Sequence, residues 1–461
     1  MDRHQRGIAA FILALCLLLP IWAFAAPVAA QRIYLPLLLK GFSSPLGPGP
    51  GGCPAYAPEF DFVTSHDVLQ APFLAEPAPR VWFRDPVFDT CVVRVTDRAH
   101  DLSPDDGSHG LKNEYSRVQS FNADGTRLLV RGIEATYYLY DASTLQPLRQ
   151  LPVADEPRWD ASDPNQLFFV QGVEFLACDV RDGSTRLVHD WSVDFPGQHL
   201  SAVWTRWEGS PSMDGRYWGF MADDESWMPV ALLIYDRVAG RAVARRDLPD
   251  TADADSVTMS PLGSWLLVFW DDVCAEGELG SESNHCGLVA YDRNLTHARG
   301  LLRIVGHGDT ALEANGGEVF VYQDIDTDHI SMVDLATGQI TDLWPIDFSH
   351  TAIGLHISGR ALQRPGWVVV STHDGDVQSH TWMDDQVFLL ELKASGRLVR
   401  LAHTHSLVDM EQEHDYWAEP QASTNQDLTR VLFTTNWGRS GTEQVEMFMV
   451  ALPNDWATRL P

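Results

Sequence analysis

Residues 113 to 130 have the sequence NEYSRVQSFNADGTRLLV, and this stretch decides the fold. It begins with polar residues, continues through a predicted strand at residues 117 to 121 and turns at Asn-Ala-Asp-Gly. A second predicted strand follows and ends at Leu128, Leu129 and Val130. Short apolar runs bounded by turn-forming residues are typical of antiparallel strands. The stretch therefore predicts two strands joined by a tight turn.

Variants of the turn and its second strand recur along the chain. After the first copy at residues 120–130 they occur at residues 160–170, 210–220, 259–269, 312–322 and 423–433, with a looser copy at 358–371. A third predicted strand follows each copy and usually ends in an acidic residue, as in YLYD at 138–141 and LLIYD at 232–236. Two elements that recur in a fixed order indicate a true repeat.

The length of this repeat favours a β-propeller. A period of about 40 to 50 residues with up to four strands is that of a propeller blade, and a ring of blades buries nearly all their faces. Seven copies fit between residues 116 and 453, while loose spacing at 345–415 leaves six or eight blades as alternatives. The last copy lacks a fourth strand, which CVVRVT at 91–96 could supply. The sequence thus predicts an all-β, seven-bladed propeller that an N-terminal strand closes.

The repeat also resembles a known family. The turns NADGTRLLV and MDGRYWGF, with strands such as LLIYDRVAG, look like Tol-type and tryptophan-aspartate-like propeller repeats, from about residue 81 to the C-terminus. The resemblance implies the seven-bladed fold. It does not imply an activity, because this fold serves enzymes, binding proteins and scaffolds alike.

The N-terminal 80 residues are predicted to lie outside the propeller. Arg3 and Arg6 precede an apolar run at residues 8–24 and then small residues, a pattern that predicts a signal peptide at 1–30. A retained membrane anchor is the alternative. Residues 31–80 are predicted to form a tether and an irregular Pro- and Gly-rich strap, and residues 81–461 the propeller. No later segment is apolar enough to cross a membrane, so we expect a secreted or cell-surface protein.

Charge and cysteines narrow the possible functions. The formal net charge of −30 argues against nucleic acid as a partner, since phosphate binding needs a basic surface. Cys274 and Cys286 flank a polar loop and are predicted to form a disulfide. Cys53 and Cys91 are a second candidate pair, and Cys178 is predicted to be a buried free thiol. The sequence has no phosphate-binding glycine loop, G-x-S-x-G elbow or H-E-x-x-H helix.

Polar residues recur where the predicted inner strands begin. In a propeller these positions line one mouth of the central channel, so their side chains converge there. We expect a site for a glycan or protein ligand at this mouth, and the candidate catalytic residues are His109, Tyr115, Arg117, His199, Arg206, His356 and Tyr416. The structural alternative is that such residues bind backbone groups of neighbouring blades.

A narrower resemblance suggests one chemistry for this mouth. HGLKNEYSRVQSFNADG at 109–125 and GLHISGRALQRPGW at 354–367 look similar to segments of secreted propeller polysaccharide lyases of the oligogalacturonate and ulvan types. The match does not extend to a complete active-site set. It implies β-elimination on uronate-containing glycans, in which His or Tyr removes a proton and Arg or a metal stabilises the developing charge.

Two further sets of residues could bind ligands. His403 and His405 alternate on a predicted strand and His414 follows, which makes a divalent metal ion the candidate cofactor. Tryptophans in polar contexts could stack on sugar rings; they are Trp159, Trp204, Trp207, Trp227, Trp382, Trp417 and Trp437. The sequence therefore predicts a monomeric propeller that acts as a binding or interaction module, with carbohydrate among its ligands, and a polysaccharide lyase is the alternative.

Overall fold

Seven antiparallel sheets form the blades of a β-propeller, which confirms the predicted fold and blade count. The structure, a computed structural model, describes residues 56–460 apart from residues 377 and 410. Two strands, β1 (Trp82–Arg84) and β2 (Cys91–Arg94), precede the first blade. Blade 1 contains β3 (Leu111–Lys112), β4 (Arg127–Gly132), β5 (Tyr137–Asp141) and β6 (Pro147–Leu151).

Blades 2 to 4 each have four strands in sequence order. Blade 2 contains β7 (Asp155–Trp159), β8 (Gln166–Gln171), β9 (Glu174–Asp179) and β10 (Thr185–Asp190). Blade 3 contains β11 (Leu200–Trp204), β12 (Tyr217–Asp224), β13 (Pro229–Asp236) and β14 (Arg241–Asp247). Blade 4 contains β15 (Ala254–Met259), β16 (Trp265–Trp270), β17 (Leu288–Asp292) and β18 (Ala298–Leu302).

The remaining blades follow the same order until the ring closes. Blade 5 contains β19 (Gly308–Leu312), β20 (Glu318–Asp324), β21 (His329–Asp334) and β22 (Ile340–Pro345). Blade 6 contains β23 (Gly354–Ser358), β24 (Trp367–His373), β25 (Gln386–Glu391) and β26 (Leu398–His403). Blade 7 contains β27 (Ser423–Thr424), β28 (Arg430–Thr435) and β29 (Glu446–Ala451). Short 3-10 helices lie at Trp191–Val193, Glu413–Ala418 and Trp456–Arg459.

An N-terminal strand closes the ring, as predicted. β2 pairs antiparallel with β29, with Cys91 opposite Ala451 and Arg94 opposite Phe448. β1 adds a fifth strand outside β2, which the sequence did not predict. Because the first and last parts of the chain share one sheet, the outer edge of β29 is paired and not open.

The hydrophobic core lies between neighbouring blades. The cluster between blades 7 and 1 includes Val93, Leu111, Leu128, Leu432 and Met447, all buried. Alternating residues of one strand face opposite sides, so each central strand contributes to two such clusters. This arrangement explains why the second and third strands of each repeat are almost wholly apolar.

The repeated turns owe their sequence to backbone geometry. In the first copy Gly125 has φ +70°, a region that glycine enters without steric cost, and Gly215 occupies the same position in blade 3 with φ +67°. The acidic residue that ends the third strand accepts backbone hydrogen bonds across the next turn. Asp236 Oδ1, for example, accepts from the N–H groups of Val238 and Ala239 at 2.9 and 3.1 Å.

The predicted first strand at residues 117–121 is wrong for most of its length. The inner strand of blade 1 is β3, and the chain leaves the sheet after Lys112. It returns only where Ser120 accepts a backbone hydrogen bond from Leu129 and Phe121 bridges Leu128. Residues 113–119 therefore form an insertion in the inner strand, which we call the channel insertion. A strand was expected because residues 117–121 lead directly into the repeated Asn-Ala-Asp-Gly turn.

Residues 56–80, which we call the strap, contain no helix or strand and lie along blades 6 and 7. Phe62 of the strap packs in the core that these blades share. Arg400 Nη1 of blade 6 donates to Asp67 O at 2.7 Å, and Trp437 Nε1 donates to Leu74 O at 2.9 Å. The strap thus supplies carbonyl acceptors for side-chain donors of blades 6 and 7.

The cysteines of the propeller include a disulfide and a free thiol. Cys274 and Cys286 form the predicted disulfide, and Cys178 is a buried free thiol, as predicted. Cys53 lies outside the described residues, as do the predicted signal peptide and tether, so its pairing with Cys91 stays a prediction. Within residues 56–460, leaving out 377 and 410, no helix has the length and hydropathy of a membrane span.

Candidate functional site

The channel insertion brings polar side chains of blade 1 into contact with the opposite side of the ring. Asn113 Nδ2 donates to Gln421 O of blade 7 at 2.7 Å, which fixes one end of the insertion. Arg117 Nε donates to Gly308 O of blade 5, and Arg117 O accepts from Ser210 Oγ of blade 3 at 2.7 Å. The insertion therefore crosses the central channel and determines which side chains can meet there.

Tyr115 of the insertion meets histidines from two other blades. Its hydroxyl lies 3.5 Å from His307 Nδ1, which precedes β19 of blade 5. The ring of His356, on β23 of blade 6, lies 5.5 Å from the Tyr115 ring and 4.5 Å from the His307 ring. Burial, and then Glu208, raise the pKa of Tyr115 well above its usual value. Tyr115 is therefore a hydrogen-bond donor at neutral pH.

Glu419 connects this group to another histidine. Its Oε2 lies 2.8 Å from His356 Nε2, and its Oε1 lies 3.7 Å from Nε2 of His373, at the end of β24. Burial lowers the pKa of His356 and of His373 to about 4, so both rings are neutral at pH 7. Burial is the largest single influence on Glu419 and raises its pKa, but the hydrogen bond from His356 and the interactions with all three histidines together outweigh burial and keep the Glu419 pKa below its usual range.

The protonation of these histidines leaves two acceptors without partners. A neutral His356 that donates through Nε2 to Glu419 has an unprotonated Nδ1. The Nδ1 atoms of both His356 and His373 are buried and form no hydrogen bond within the described residues. Such unpaired buried groups are costly and are common at ligand sites.

Arg117 is a cation beside this group, and a carboxylate neutralises it. Its Nη1 lies 2.6 Å from Glu208 Oε2, and its guanidinium lies 4.7 Å from the centre of the Phe269 ring. Burial raises the pKa of the neighbouring Asp255, and repulsion from Glu208 raises it further. The carboxylates here therefore leave Arg117 little free positive charge for an anionic ligand.

Part of this group is open to solvent. His307, Asp255 and Tyr416 have exposed side chains, and 52% of Tyr416 is accessible. Surrounding protein nevertheless lowers the pKa of His307 to about 4 through burial, and then through the charge of Arg117. A side chain that is accessible and yet enclosed by protein lies in a concave surface. We call this surface the recess; it is lined by Tyr115, Glu208, Asp255, His307 and Tyr416.

Some of the predicted catalytic residues meet at the recess and some do not. Tyr115, Arg117 and His356 lie together, and Tyr416 is close enough to raise the pKa of Tyr115. His109 and His199 are exposed ahead of β3 and β11, and among the described residues no hydrogen bond or ring contact joins them to this group. Arg206 instead pairs with Asp223 at 3.2 Å and donates to Trp227 O at 2.8 Å.

Sequence analysis did not select His373 or Glu419 for the site. His373 was missed because only the starts of inner strands were considered, whereas the ends of second strands reach the same mouth. Glu419 directly follows the 3-10 helix at Glu413–Ala418. The predicted catalytic residue from this connection is Tyr416, three residues earlier. The signal that could have identified Glu419 is its carboxylate at the end of the connection between blades 6 and 7.

The three predicted metal ligands have other partners. His403 Nε2 lies 2.9 Å from Leu69 O, and the His405 ring stacks on Trp437 at 4.4 Å. His414 Nδ1 lies 3.0 Å from Glu443 Oε1. Across the described part of the chain, no three or more His, Cys, Asp or Glu residues are arranged to hold a metal ion. His356 and His373 both direct Nε2 towards Glu419.

Comparison with known proteins supports the fold. No protein-family model matches the sequence, and a search of curated proteins found no match. Among solved structures, an oligogalacturonate lyase in complex with manganese aligns with a TM-score of 0.55 and 15% identity, over 86% of this chain and 100% of the lyase. An oligogalacturonate lyase from Vibrio parahaemolyticus aligns with a TM-score of 0.53 and 15% identity, over 85% and 99% of the two chains. At this identity the likeness shows a shared fold.

Proposed function

We propose that this protein is a secreted or cell-surface β-propeller that binds a glycan in the recess at the channel mouth. The observation that carries this proposal is the meeting of Tyr115, His307, His356, His373 and Glu419, from four blades, beside an opening to solvent. Sugars present many hydroxyl groups that both donate and accept hydrogen bonds. The protonated Tyr115 hydroxyl and the neutral imidazoles offer complementary partners.

Charge favours an uncharged glycan. Arg117 is already paired with Glu208, and Asp255 and Glu419 add further carboxylates near the recess. An anionic ligand would meet this negative field, whereas a neutral sugar would not. The disulfide between Cys274 and Cys286 supports an oxidising location, where many glycan-binding proteins act.

Binding of neutral oligosaccharides to the intact protein, measured by titration calorimetry, tests the proposal. We expect wild-type protein to bind at least one of them, and His307→Ala to lower the affinity about tenfold by removing a hydrogen-bonding group. His350→Ala is the matched control, because His350 is exposed and bonds only its neighbours Asp347 and Ser349. No binding across the panel, or equal losses in both variants, would contradict the proposal.

A polysaccharide lyase that cleaves uronate-containing glycans by β-elimination is the second candidate. The specific observation in its favour is that His307 and His356, with pKa values of about 4, are neutral bases beside the protonated Tyr115. A base and an acid in contact could remove one proton and protonate the leaving oxygen. One similar structure is an oligogalacturonate lyase in complex with manganese. The acid and the base proposed here are side chains of this chain.

Absorbance near 235 nm distinguishes the two candidates, because β-elimination creates an unsaturated uronate that absorbs there. Incubation with oligogalacturonate and other uronate glycans should give no increase if the protein only binds neutral sugars. A steady increase that is lost in Tyr115→Phe and His307→Ala would establish the lyase instead. His307→Ala thus serves both tests.

A further inference from the structure

A row of aromatic side chains crosses the channel mouth beside the recess. Each member contacts the next. Tyr416 and Trp417 have ring centres 5.2 Å apart, and the guanidinium of Arg131 lies 5.4 Å from the Trp417 ring. The same guanidinium lies 5.6 Å from the Trp207 ring. Trp207 contacts Trp204 at 6.1 Å, and Trp204 contacts Trp227 at 5.7 Å. We call these six residues the aromatic row.

The row joins parts of the chain that are distant in sequence. Its first two members lie on the 3-10 helix before blade 7, and Arg131 lies near the end of β4 in blade 1. The three tryptophans belong to blade 3. The side chains at its two ends, Tyr416 and Trp227, are each 52% exposed. The row therefore begins at the recess and extends away from it over the surface of the propeller.

Two of the three tryptophans that the row takes from blade 3 are held in unfavourable backbone conformations. Trp207 has φ 76° and Trp227 has φ 61°, in a region where a bulky residue is an outlier. Buried Glu156 fixes the first of them, because its carboxylate accepts hydrogen bonds from the N–H groups of Thr205 and Trp207. Arg206 fixes the second by donating to Trp227 O. Such over-determined strain clusters at ligand-binding surfaces, and half-exposed Trp227 gains little packing from it.

The charges along the row favour an uncharged ligand. Arg131 Nε lies 3.6 Å from Glu114 Oε2, and Arg206 Nη2 lies 3.2 Å from Asp223 Oδ2. Each arginine at the row thus has a carboxylate partner. Lys112 Nζ lies 5.4 Å from the Trp417 ring, and burial lowers its pKa to about 7, so it is only partly charged at neutral pH. Stacked indole and phenol rings with polar edges suit the alternating apolar faces and hydroxyl edges of a sugar chain.

We propose that the aromatic row carries an extended, uncharged oligosaccharide whose end or middle lies in the recess. This inference rests on the proposed glycan-binding function and adds the length and path of the ligand. The chain would run from Tyr416 over blade 1 to Trp227 on blade 3. Affinity should therefore grow with the number of sugar units until the row is covered.

The test compares oligosaccharides of different length on the intact protein. The probes are neutral gluco-, manno- and xylo-oligosaccharides of two to six units, with tryptophan fluorescence and calorimetry as readouts. For the probe that binds, we expect the six-unit chain to bind about tenfold more tightly than the two-unit chain, the gain of one or two stacked rings. Trp227→Ala should remove most of that gain and leave two-unit binding unchanged, and Trp227→Phe should restore it.

A control and two opposite results keep the inference separate from the proposed function. Phe73→Ala is the control, because Phe73 is an aromatic side chain of the strap that is 98% exposed. It should leave the length dependence unchanged. An affinity that does not depend on the length of the oligosaccharide would show that the recess binds glycan and the row does not. The same conclusion would follow if Trp227→Ala left the affinity unchanged while His307→Ala abolished binding. If the wild-type protein binds no probe of any length, both proposals are wrong.

Discussion

Two groups of histidines in this molecule have pKa values lowered to about 4, and they differ in what surrounds them. His307, His356 and His373 contact Tyr115 and Glu419 at the recess, and His307 is open to solvent. His403 and His405 lie under the strap; one is bonded to Leu69 O and stacked on Phe88, and the other is stacked on Trp437. We call the second group the strap histidines.

The comparison shows that a lowered pKa does not by itself mark a site. Burial is the largest cause of the shift in both groups. The strap histidines use their rings as packing surface, and His403 Nε2 binds a backbone carbonyl, although its Nδ1, like those of His356 and His373, is buried without a partner among the described residues. The recess histidines bind other ionisable side chains and border an opening. Access and partners therefore distinguish the histidines of the proposed site from those that only pack, and each prediction below tests that distinction.

The largest expected difference between the groups is in stability. His403→Ala should lower the free energy of unfolding by about 3 kcal/mol, because it removes a buried ring from Phe88 and leaves Leu69 O without its donor. His307→Ala, at an exposed position, should change it by less than about 0.5 kcal/mol. Urea unfolding followed by fluorescence measures both. Equal destabilisation by the two variants would show that the recess histidines are structural as well.

A second prediction concerns acid, to which histidines of both groups should contribute. The pKa of His403 is about 4 in the folded protein and about 6.5 when the ring is free, so the unfolded chain binds more protons between these pH values. Stability that is complete above pH 6.5 should therefore decline as pH falls towards 4, by up to about 1.4 kcal/mol per pH unit for each such histidine.

Urea unfolding at pH 7, 6 and 5 measures that slope, and two variants isolate the contribution of His403. His403→Ala should reduce it by about 1 kcal/mol per pH unit, since one titrating group is lost. Phe88→Ala is the matched control: it disrupts the same ring stack without removing a titrating group, so it lowers stability but should keep the slope. An unchanged slope in His403→Ala would mean that this ring is protonated as easily in the folded protein as in the unfolded chain.

The repeated parts of the fold could be predicted because their causes are local. The turn glycines such as Gly125 need a positive φ, and the acidic residues that end third strands accept hydrogen bonds from the next few residues. The turn glycines and the acidic residues each act on backbone within a few residues of their own position in the sequence. Ring closure by β2 was predictable for a similar reason, because a strand without a neighbour and a blade without a fourth strand occur once each.

The site was harder to predict because its causes are distant in sequence. Arg117 looks like part of a strand until its contacts with Gly308 and Glu208 are known, and these lie on other blades. Glu419 carries no motif; it matters because His356 and His373 converge on it. A single sequence places polar residues at the channel mouth but does not show which of them touch.

The smallest expected effects come from removing one hydroxyl from each kind of environment. Tyr115→Phe removes the group 3.5 Å from His307 Nδ1, and it should weaken glycan binding about fivefold while changing stability by less than about 1 kcal/mol. Tyr140→Phe removes a hydroxyl that donates to Asp101 at 2.9 Å, away from the recess. It should cost about 1 kcal/mol of stability and leave binding unchanged. Calorimetry should detect weaker glycan binding only in Tyr115→Phe, and urea unfolding should show the larger loss of stability in Tyr140→Phe. Similar effects in both variants would mean that Tyr115, like Tyr140, only stabilises the fold.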